Sequence, residues 1–185
     1  FKEILIEKGD LKGAQKQSTK IIEIEVKTGF QEHLYLEPQG IIAIPEKDRM
    51  VIRGSLQCPY YIKNALVNMF DNKKHITVIQ VTTGGAFGGK EDFPSLLAGH
   101  AALLAGKIGK PVAMFYDREE DVQFTTKRHP SFHSDKAYVD KEGKILGLDL
   151  NMYLDGGAYC TLSQVVLSRA ALTATGSYYS PNVKI

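Results

Sequence analysis

A chain of 185 residues with 43% hydrophobic content can bury one sizeable core or two smaller ones. Its 23 lysines and arginines against 21 acids leave a formal net charge of +2, too balanced to argue for nucleic acid, and no basic stripe with interleaved aromatics is present. No apolar run reaches the roughly 18 residues of a membrane span; Cys58 and Cys160, outside any C-x-x-C pair, read as small buried hydrophobes of a reducing, cytoplasmic setting rather than as a disulfide framework.

Residues 1–19 are polar and irregular, with turn signals at Gly9-Asp10 and Lys12-Gly13 and a short helix within 9–18. Apolar and polar residues alternate over 20–26, which predicts a half-buried strand. Two further strands follow at 41–45 and 50–55, around the charged turn 46–49. Pro59 opens a helix in which Tyr61, Ala65, Leu66 and Met69 recur at helical spacing as far as Phe70. A strand at 75–81 and an Ala- and Leu-rich helix at 93–108 come next, the helix ended by Gly109 with Pro111 beyond it. The stretch 112–116 is a short buried strand, and Asp117 caps a helix over 118–123 whose Glu119, Glu120 and Asp121 read as a solvated face. Segments 134–140 and 144–154 pair as a hairpin around 141–143, residues 155–158 form a second flexible turn, and 163–174 is a helix carrying Arg169. Strands and helices intermix with no strict βαβ rhythm, so the expected class is α+β, with mixed sheets and packed helices. The chain opens on Phe1 rather than Met and stops at 181–185 as though entering a strand, so a piece of a larger polypeptide is expected.

Between the strand at 75–81 and the helix at 93–108 lies Thr82-Thr83-Gly84-Gly85-Ala86-Phe87-Gly88-Gly89-Lys90-Glu91, with four glycines in six residues. Such a backbone approaches a ligand closely and aims several N–H groups at an anionic one. A glycine-rich turn between strand and helix is a common seat for a phosphate or cofactor. Residues 84–90 satisfy the G-x-x-x-x-G-K pattern of a nucleotide-binding module, but Glu91 stands where the magnesium-binding Ser or Thr belongs, and its carboxylate would repel phosphates. His129 and His133 have a zinc-like spacing that Pro130 spoils by disfavouring a helix. Arg169, alone in a nearly uncharged helix, either snorkels to solvent or pairs with an anion, and Gln57 reads as a satisfied polar group at a strand end.

The pattern as a whole resembles the xanthine dehydrogenase and aldehyde oxidase family of molybdenum hydroxylases. Gly84-Gly85-Ala86-Phe87-Gly88-Gly89-Lys90-Glu91 is similar to that family's glycine-rich motif, Gln31-Glu32-His33-Leu34-Tyr35-Leu36-Glu37-Pro38 to the segment opening its molybdenum-cofactor domain, and Ser55-Leu56-Gln57 to its Ser-x-Gln strand end. Gly109-Lys110-Pro111-Val112, Asp117-Arg118-Glu119-Glu120-Asp121, Arg128-His129-Pro130, Ser168-Arg169-Ala170 and Tyr179-Ser180-Pro181-Asn182-Val183 recur in the family's order, so the similarity covers essentially the whole chain. Two departures stand out: Cys58 after Gln57, which looks bacterial, and Ala86 where many relatives have glycine, a methyl that is tolerable unless positive φ is needed there.

The resemblance implies hydroxylation of an electron-poor carbon with water as oxygen source, electrons leaving through iron–sulfur clusters. It implies a molybdopterin cofactor, its cytosine dinucleotide form left open, held by Gln57, Gly85, Ala86, Phe87 and Gly88, with Gln57 and the Phe87 N–H nearest the ligands of the molybdenum. Substrate contacts are implied at Glu91, which would hydrogen-bond a heterocycle, and at Arg169, which would stabilise negative charge developing on it. That charged pair favours a purine such as xanthine or hypoxanthine, with an aldehyde as the alternative within the family. The implied partners are the rest of the molybdenum domain and [2Fe-2S] and FAD domains or subunits, with 1–185 the first part of the molybdopterin-binding domain. The family's catalytic glutamate matches no position here, so no catalytic residue is assigned and the piece alone is expected to be inactive.

Overall fold

The computed structural model describes residues 2–71 and 74–185. In chain order the elements are β1 (Glu7–Lys8), α1 (Leu11–Gln17), β2 (Lys20–Thr28), β3 (Gly40–Pro45), β4 (Arg49–Gly54), α2 (Pro59–Met69), β5 (His75–Gln80), α3 (Pro94–Ile108), β6 (Val112–Phe115), α4 (Arg118–Phe124), β7 (Ser131–Val139), β8 (Ile145–Leu154), α5 (Ser163–Thr173) and β9 (Asn182–Lys184). They form two units, one from the residues up to Gln31 together with His129–Ile185, the other from Glu32–Arg128. The expected α+β class with mixed sheets holds, since both sheets contain parallel and antiparallel pairs.

The continuous unit is built on a four-stranded sheet of order β5-β4-β3-β6. β3 and β4 are an antiparallel hairpin, closed by Glu46 N–H donating to the Arg49 carbonyl at 2.9 Å. β5 returns parallel to β4 after the crossover through α2, and β6 runs antiparallel to β3 on the other side. The apolar strand residues Ile41, Ala43, Met50, Ile52 and Ile76 meet Ile62 and Leu66 of α2 and Leu97, Ala98, Ala101, Ala102 and Ala105 of α3 in one buried cluster. Four alanines along one face of α3 let the helix axis lie close to the sheet, and interior packing at crystal-like density leaves little tolerance for a changed volume there. Gly109, with φ +67, ends α3 in the left-handed conformation, its N–H bonded to the Ala105 carbonyl at 2.9 Å.

The discontinuous unit is a five-stranded sheet of order β1-β9-β8-β7-β2. β7 and β8 form the expected hairpin, with Gly143 at φ +82 in its turn, and β7 begins at Ser131, three residues earlier than the sequence indicates. β1 is a two-residue pairing with β9, too short to leave a periodic signal. The expectation of a half-buried strand at 20–26 is corrected: all nine residues of β2 are exposed, Ile21, Ile22, Ile24 and Val26 included. β2 is the last strand of its sheet, whereas α1 packs on β8 and β9, so the apolar face of β2 gains no cover from that helix. The cysteine expectation is corrected too, since Cys160 is exposed and Cys58 only half-buried; neither is in a disulfide.

The fold predicts a large cost for truncating the fully buried Leu97. Leu97→Ala should lower unfolding stability by about 2–5 kcal/mol in denaturant titration; a loss below about 1 kcal/mol would show that the α3–sheet layer is not the core of this unit.

Candidate functional site

Because β4 and β5 are parallel, their carboxyl ends lie side by side, and the chain leaving each of them emerges at one end of the sheet. Val81 N–H donates to the Gly54 carbonyl at 3.0 Å, which carries that pairing one step beyond the strands. The antiparallel neighbours bring the segment before β3 and the segment after β6 to the same end, where Gly40 pairs with Phe115 and Tyr116 N–H donates to the Gln39 carbonyl at 3.0 Å. Four stretches distant in sequence therefore converge there: 35–39, 55–57, 82–91 and 116–121.

Beneath the loop lies a set of buried polar side chains that satisfy one another. Lys90 has a fully buried side chain (0% exposed), its Nζ donating to Glu37 Oε2 at 3.0 Å and Ser55 Oγ at 3.0 Å and lying 4.7 Å from the centre of the Tyr35 ring. The same Glu37 oxygen accepts from Ser55 Oγ at 2.6 Å and from the Gly84 N–H at 2.8 Å. Tyr35 O–H donates to Asp121 Oδ1 at 2.6 Å, Gln39 N–H donates to Asp121 Oδ2 at 2.7 Å, and Gln39 Nε2 donates to Tyr35 Oη and to the Gly89 carbonyl. Arg118 Nη2 secures the same segment by donating to the carbonyls of Tyr35 and Leu36.

Two expectations change here. Asp121 is not part of a solvated face: it is 1% exposed, while Glu119 and Glu120 remain outside. The α4 capping box, Asp117 with Glu120, fixes the helix start so that position 121 turns inward onto Tyr35 and Gln39. Lys90 is not available to a triphosphate, because its amine is spent on Glu37 and Ser55 under the loop, so the nucleotide-binding alternative loses its phosphate-binding lysine.

The loop itself is bent by three residues in the left-handed region, Gly85 at φ +95, Phe87 at +51 and Gly88 at +97. Ala86 is buried and has no positive φ, so its methyl is accommodated. Gly89 is required by contact: a Cβ there would stand 2.5 Å from Tyr35 Cε1 and 3.2 Å from the Ala86 carbonyl oxygen. Phe87, a non-glycine held left-handed at a cost of order 1 kcal/mol, is 67% exposed. Gln57 Oε1 accepts from the N–H groups of Gly88 and Lys90, both at 3.1 Å, and Gln57 N–H donates to the Lys90 carbonyl at 2.8 Å. These bonds fix which way the amide points, leaving Nε2 as a donor with no acceptor among the described residues. The N–H groups of Gly85, Ala86 and Phe87 likewise have no acceptor among the described residues. Three consecutive backbone N–H groups and the Gln57 amide nitrogen are thus left as donors for a ligand.

The remaining candidates are placed as follows. Glu91 is half-buried at the end of the loop. Arg169 is exposed on α5 in the other unit and makes no ion pair among the described residues. His129 and His133 are bonded to Ser163 Oγ and Ser131 Oγ, and no group of metal-ligating side chains occurs among the described residues. Residue types alone do not single out Tyr35, Glu37, Gln39 or Asp121; the only trace of Tyr35, Glu37 and Asp121 is the similarity of the segments 31–38 and 117–121 to a family, and Gln39 lies in neither segment.

The electrostatics follow from this packing. Burial alone would push the Glu37 carboxyl up, but the hydrogen bonds from Ser55, the Gly84 N–H and Lys90 outweigh it and hold the group below the usual carboxylate range. Burial, reinforced by the hydrogen bond to Asp121 and its charge, pushes the Tyr35 phenol up, which keeps it a neutral donor. His33, packed beside Gly88 and Gly89, is pushed down mainly by burial and further by Arg128 and Lys127, against a raising effect of Glu32.

The family described as "Molybdopterin cofactor-binding domain" matches residues 2–185. The chain is 35% identical over 182 residues to aldehyde oxidase 4 of Cavia porcellus, covering 97% of this chain and 14% of that protein. It is 34% identical over 185 residues to xanthine dehydrogenase/oxidase of Mus musculus, covering 98% of this chain and 14% of that protein. It therefore spans about a seventh of the length of these two relatives. Its fold matches that of the aldehyde oxidoreductase from Desulfovibrio gigas with a TM-score of 0.79 at 23% identity, covering 97% of this chain and 20% of that one.

Since the Glu37 carboxyl lies lower in the folded than in the unfolded state, its contribution to stability is complete above the unfolded value near 4.5 and is lost as pH falls through the lower folded value. Urea midpoints taken at neutral pH and at about pH 3.5 should drop less steeply in Glu37→Gln than in the wild type, the remaining fall including a share from Glu32. An identical drop in both proteins would remove Glu37 from the acid response.

Proposed function

From a chain that belongs to the molybdopterin cofactor-binding domain family, we propose the first part of the molybdenum-cofactor domain of a hydroxylase, an oxidoreductase of the xanthine dehydrogenase and aldehyde oxidase type acting in the cytoplasm. The observation that carries this reading is a run of unused donors at the glycine loop: the N–H groups of Gly85, Ala86 and Phe87 and the Nε2 of Gln57, all without an acceptor among the described residues. A site of donors suits an anionic cofactor rich in oxygen and sulfur, and the residues fit such a group. Gln57, Gly85, Ala86, Phe87 and Gly88 would hold it. When bound, molybdopterin with its molybdenum supplies two-electron redox chemistry and the transfer of an oxygen atom derived from water.

The chain's own contribution is positional. Gln57 can only donate toward a bound group, because its carbonyl is held by Gly88 and Lys90. Phe87 is kept in its left-handed conformation so that a backbone N–H, rather than a side chain, meets the ligand closely. Glu91 at the end of the loop is the proposed hydrogen-bonding partner of a heterocyclic substrate, and Arg169 the proposed stabiliser of negative charge developing on it. This pair favours a purine, xanthine or hypoxanthine, over an aldehyde, which the equally similar aldehyde oxidase keeps as the second reading. The electrons are proposed to leave through [2Fe-2S] and FAD domains or subunits of the parent protein, which would also supply the rest of the cradle and the catalytic glutamate.

The test is metal and pterin analysis of the full-length protein, with turnover of xanthine, hypoxanthine and aldehydes. Molybdenum with purine turnover is expected, and Glu91→Ala and Arg169→Ala should each lower purine kcat/KM by about 10²–10³-fold. Molybdenum with aldehyde turnover only would transfer the assignment to the second reading. Absence of molybdenum from protein made in a host that synthesises the cofactor would overturn the proposal.

A further inference from the structure

Lys90 matches the lysine of a phosphate loop in sequence, yet its amine lies beneath the loop rather than at its rim. Two acceptors gather the loop ends. Glu37 Oε2 takes the N–H of Gly84, the first glycine, at 2.8 Å and the side chain of Lys90, the last residue of the motif, at 3.0 Å. Gln57 Oε1 takes the backbone N–H groups of Gly88 and Lys90, both at 3.1 Å. The Glu37 N–H also donates to the Gly84 carbonyl at 3.2 Å, so the first glycine is held on both its polar groups by one residue. Gly85, Ala86 and Phe87, between these fastenings, are the residues whose N–H groups have no acceptor among the described residues.

We propose that Lys90 is a positioning residue: through the shared Glu37 oxygen it clasps the two ends of the glycine loop together, and thereby fixes the row of N–H donors that takes an anionic, oxygen-rich ligand. The ligand half of this inference rests on the function proposed above; the clasp does not. Stability alone does not account for the lysine. The hydrophobic core of this unit lies among α2, α3 and the sheet, and a buried ion pair replaced by apolar residues of similar volume is often neutral or stabilising, whereas breaking one partner leaves a charge uncompensated. Glu37 is 43% exposed in its side chain, so without the ammonium it is free to turn to water, releasing Gly84 and opening the loop at its first residue.

The experiment uses the full-length protein as wild type, Lys90→Met and the double variant Lys90→Met with Glu37→Gln, read by backbone hydrogen exchange of the segment 84–90, by thermal unfolding, and by bound molybdenum and pterin after gel filtration. The double variant, which leaves no buried charge unpaired, should unfold near the wild-type temperature while segment 84–90 exchanges about tenfold faster, as the loss of a hydrogen bond to a charged group implies. Both variants should retain several-fold less molybdenum and pterin. Wild-type exchange across 84–90 in a folded variant would overturn the clasp, as would exchange accelerated equally in α3, which marks a merely structural role. Equal cofactor retention with a loosened loop would overturn the link to the ligand. A wild type without molybdenum or pterin would refute the functional reading, with the exchange comparison still deciding the clasp. If Lys90→Met and the double variant do not fold, Glu37→Gln alone serves, with the same expected and opposing results.

Discussion

The interaction on which the rest depends is a cation without water. The Lys90 ammonium lies where no solvent reaches it, and a charge in that position is tolerated only when oxygen acceptors surround it closely. Glu37 and Ser55 meet that demand, and the face of the Tyr35 ring adds a quadrupole of the right sign. Each of these partners is in turn tied to something else: Ser55 to the exit of β4, Glu37 to the first glycine, Tyr35 to Asp121 on α4. One buried charge therefore obliges four distant stretches of chain to arrive at one place. The sheet makes that possible because a parallel pair, β4 and β5, ends beside the antiparallel strands β3 and β6.

This arrangement divides the loop between a floor and a rim. Below, polar groups are paired with few exceptions; Gln39 Oε1 and His33 Nδ1 are the nearby buried atoms without a hydrogen-bond partner. Above, the N–H groups of Gly85, Ala86 and Phe87 have no acceptor among the described residues. A backbone that must be rigid without using its own N–H groups cannot be helix or strand, since both consume them. It has to be held by side chains instead, and the long carboxylate and amide of Glu37 and Gln57 are suited to that reach. The glycines then serve to let these supports come close: Gly89 lies against the Tyr35 ring where no side chain fits.

How far the sequence carried this account depends on the kind of signal. Helical spacing found α2, Ala and Leu content found α3, and apolar runs found the strands of the four-stranded sheet, although β6, read as a buried strand, has none of its four residues buried. Periodicity failed on β2, whose alternation is real but whose place at the sheet edge leaves its isoleucines exposed. The glycine loop was legible because four glycines in six residues have few other uses. Its support was not. Asp121 stands in a run of three acids, and nothing in the run distinguishes the one that turns inward. Lys90 completes the G-x-x-x-x-G-K pattern of a phosphate loop; only the burial of its amine shows which way it points. Gln57 read as a satisfied polar group, which is true of its carbonyl and not of its amide nitrogen.

The order of the two units along the chain has a consequence for biosynthesis. The Glu32–Arg128 unit is continuous, whereas the other is completed only after that unit has been made. β2 pairs with β7, and the residues at the end of that ladder, Thr28 and Ser131, are 103 positions apart. At a translation rate of about 5–20 residues per second, an Ile-rich strand emerges roughly 5–20 seconds before its partner exists. During that interval it is an unpaired template for any other extended chain nearby. The charges at Lys20, Glu23, Glu25 and Lys27, spaced among the isoleucines, are the feature of the sequence that keeps this nascent strand in solution until its partner is made.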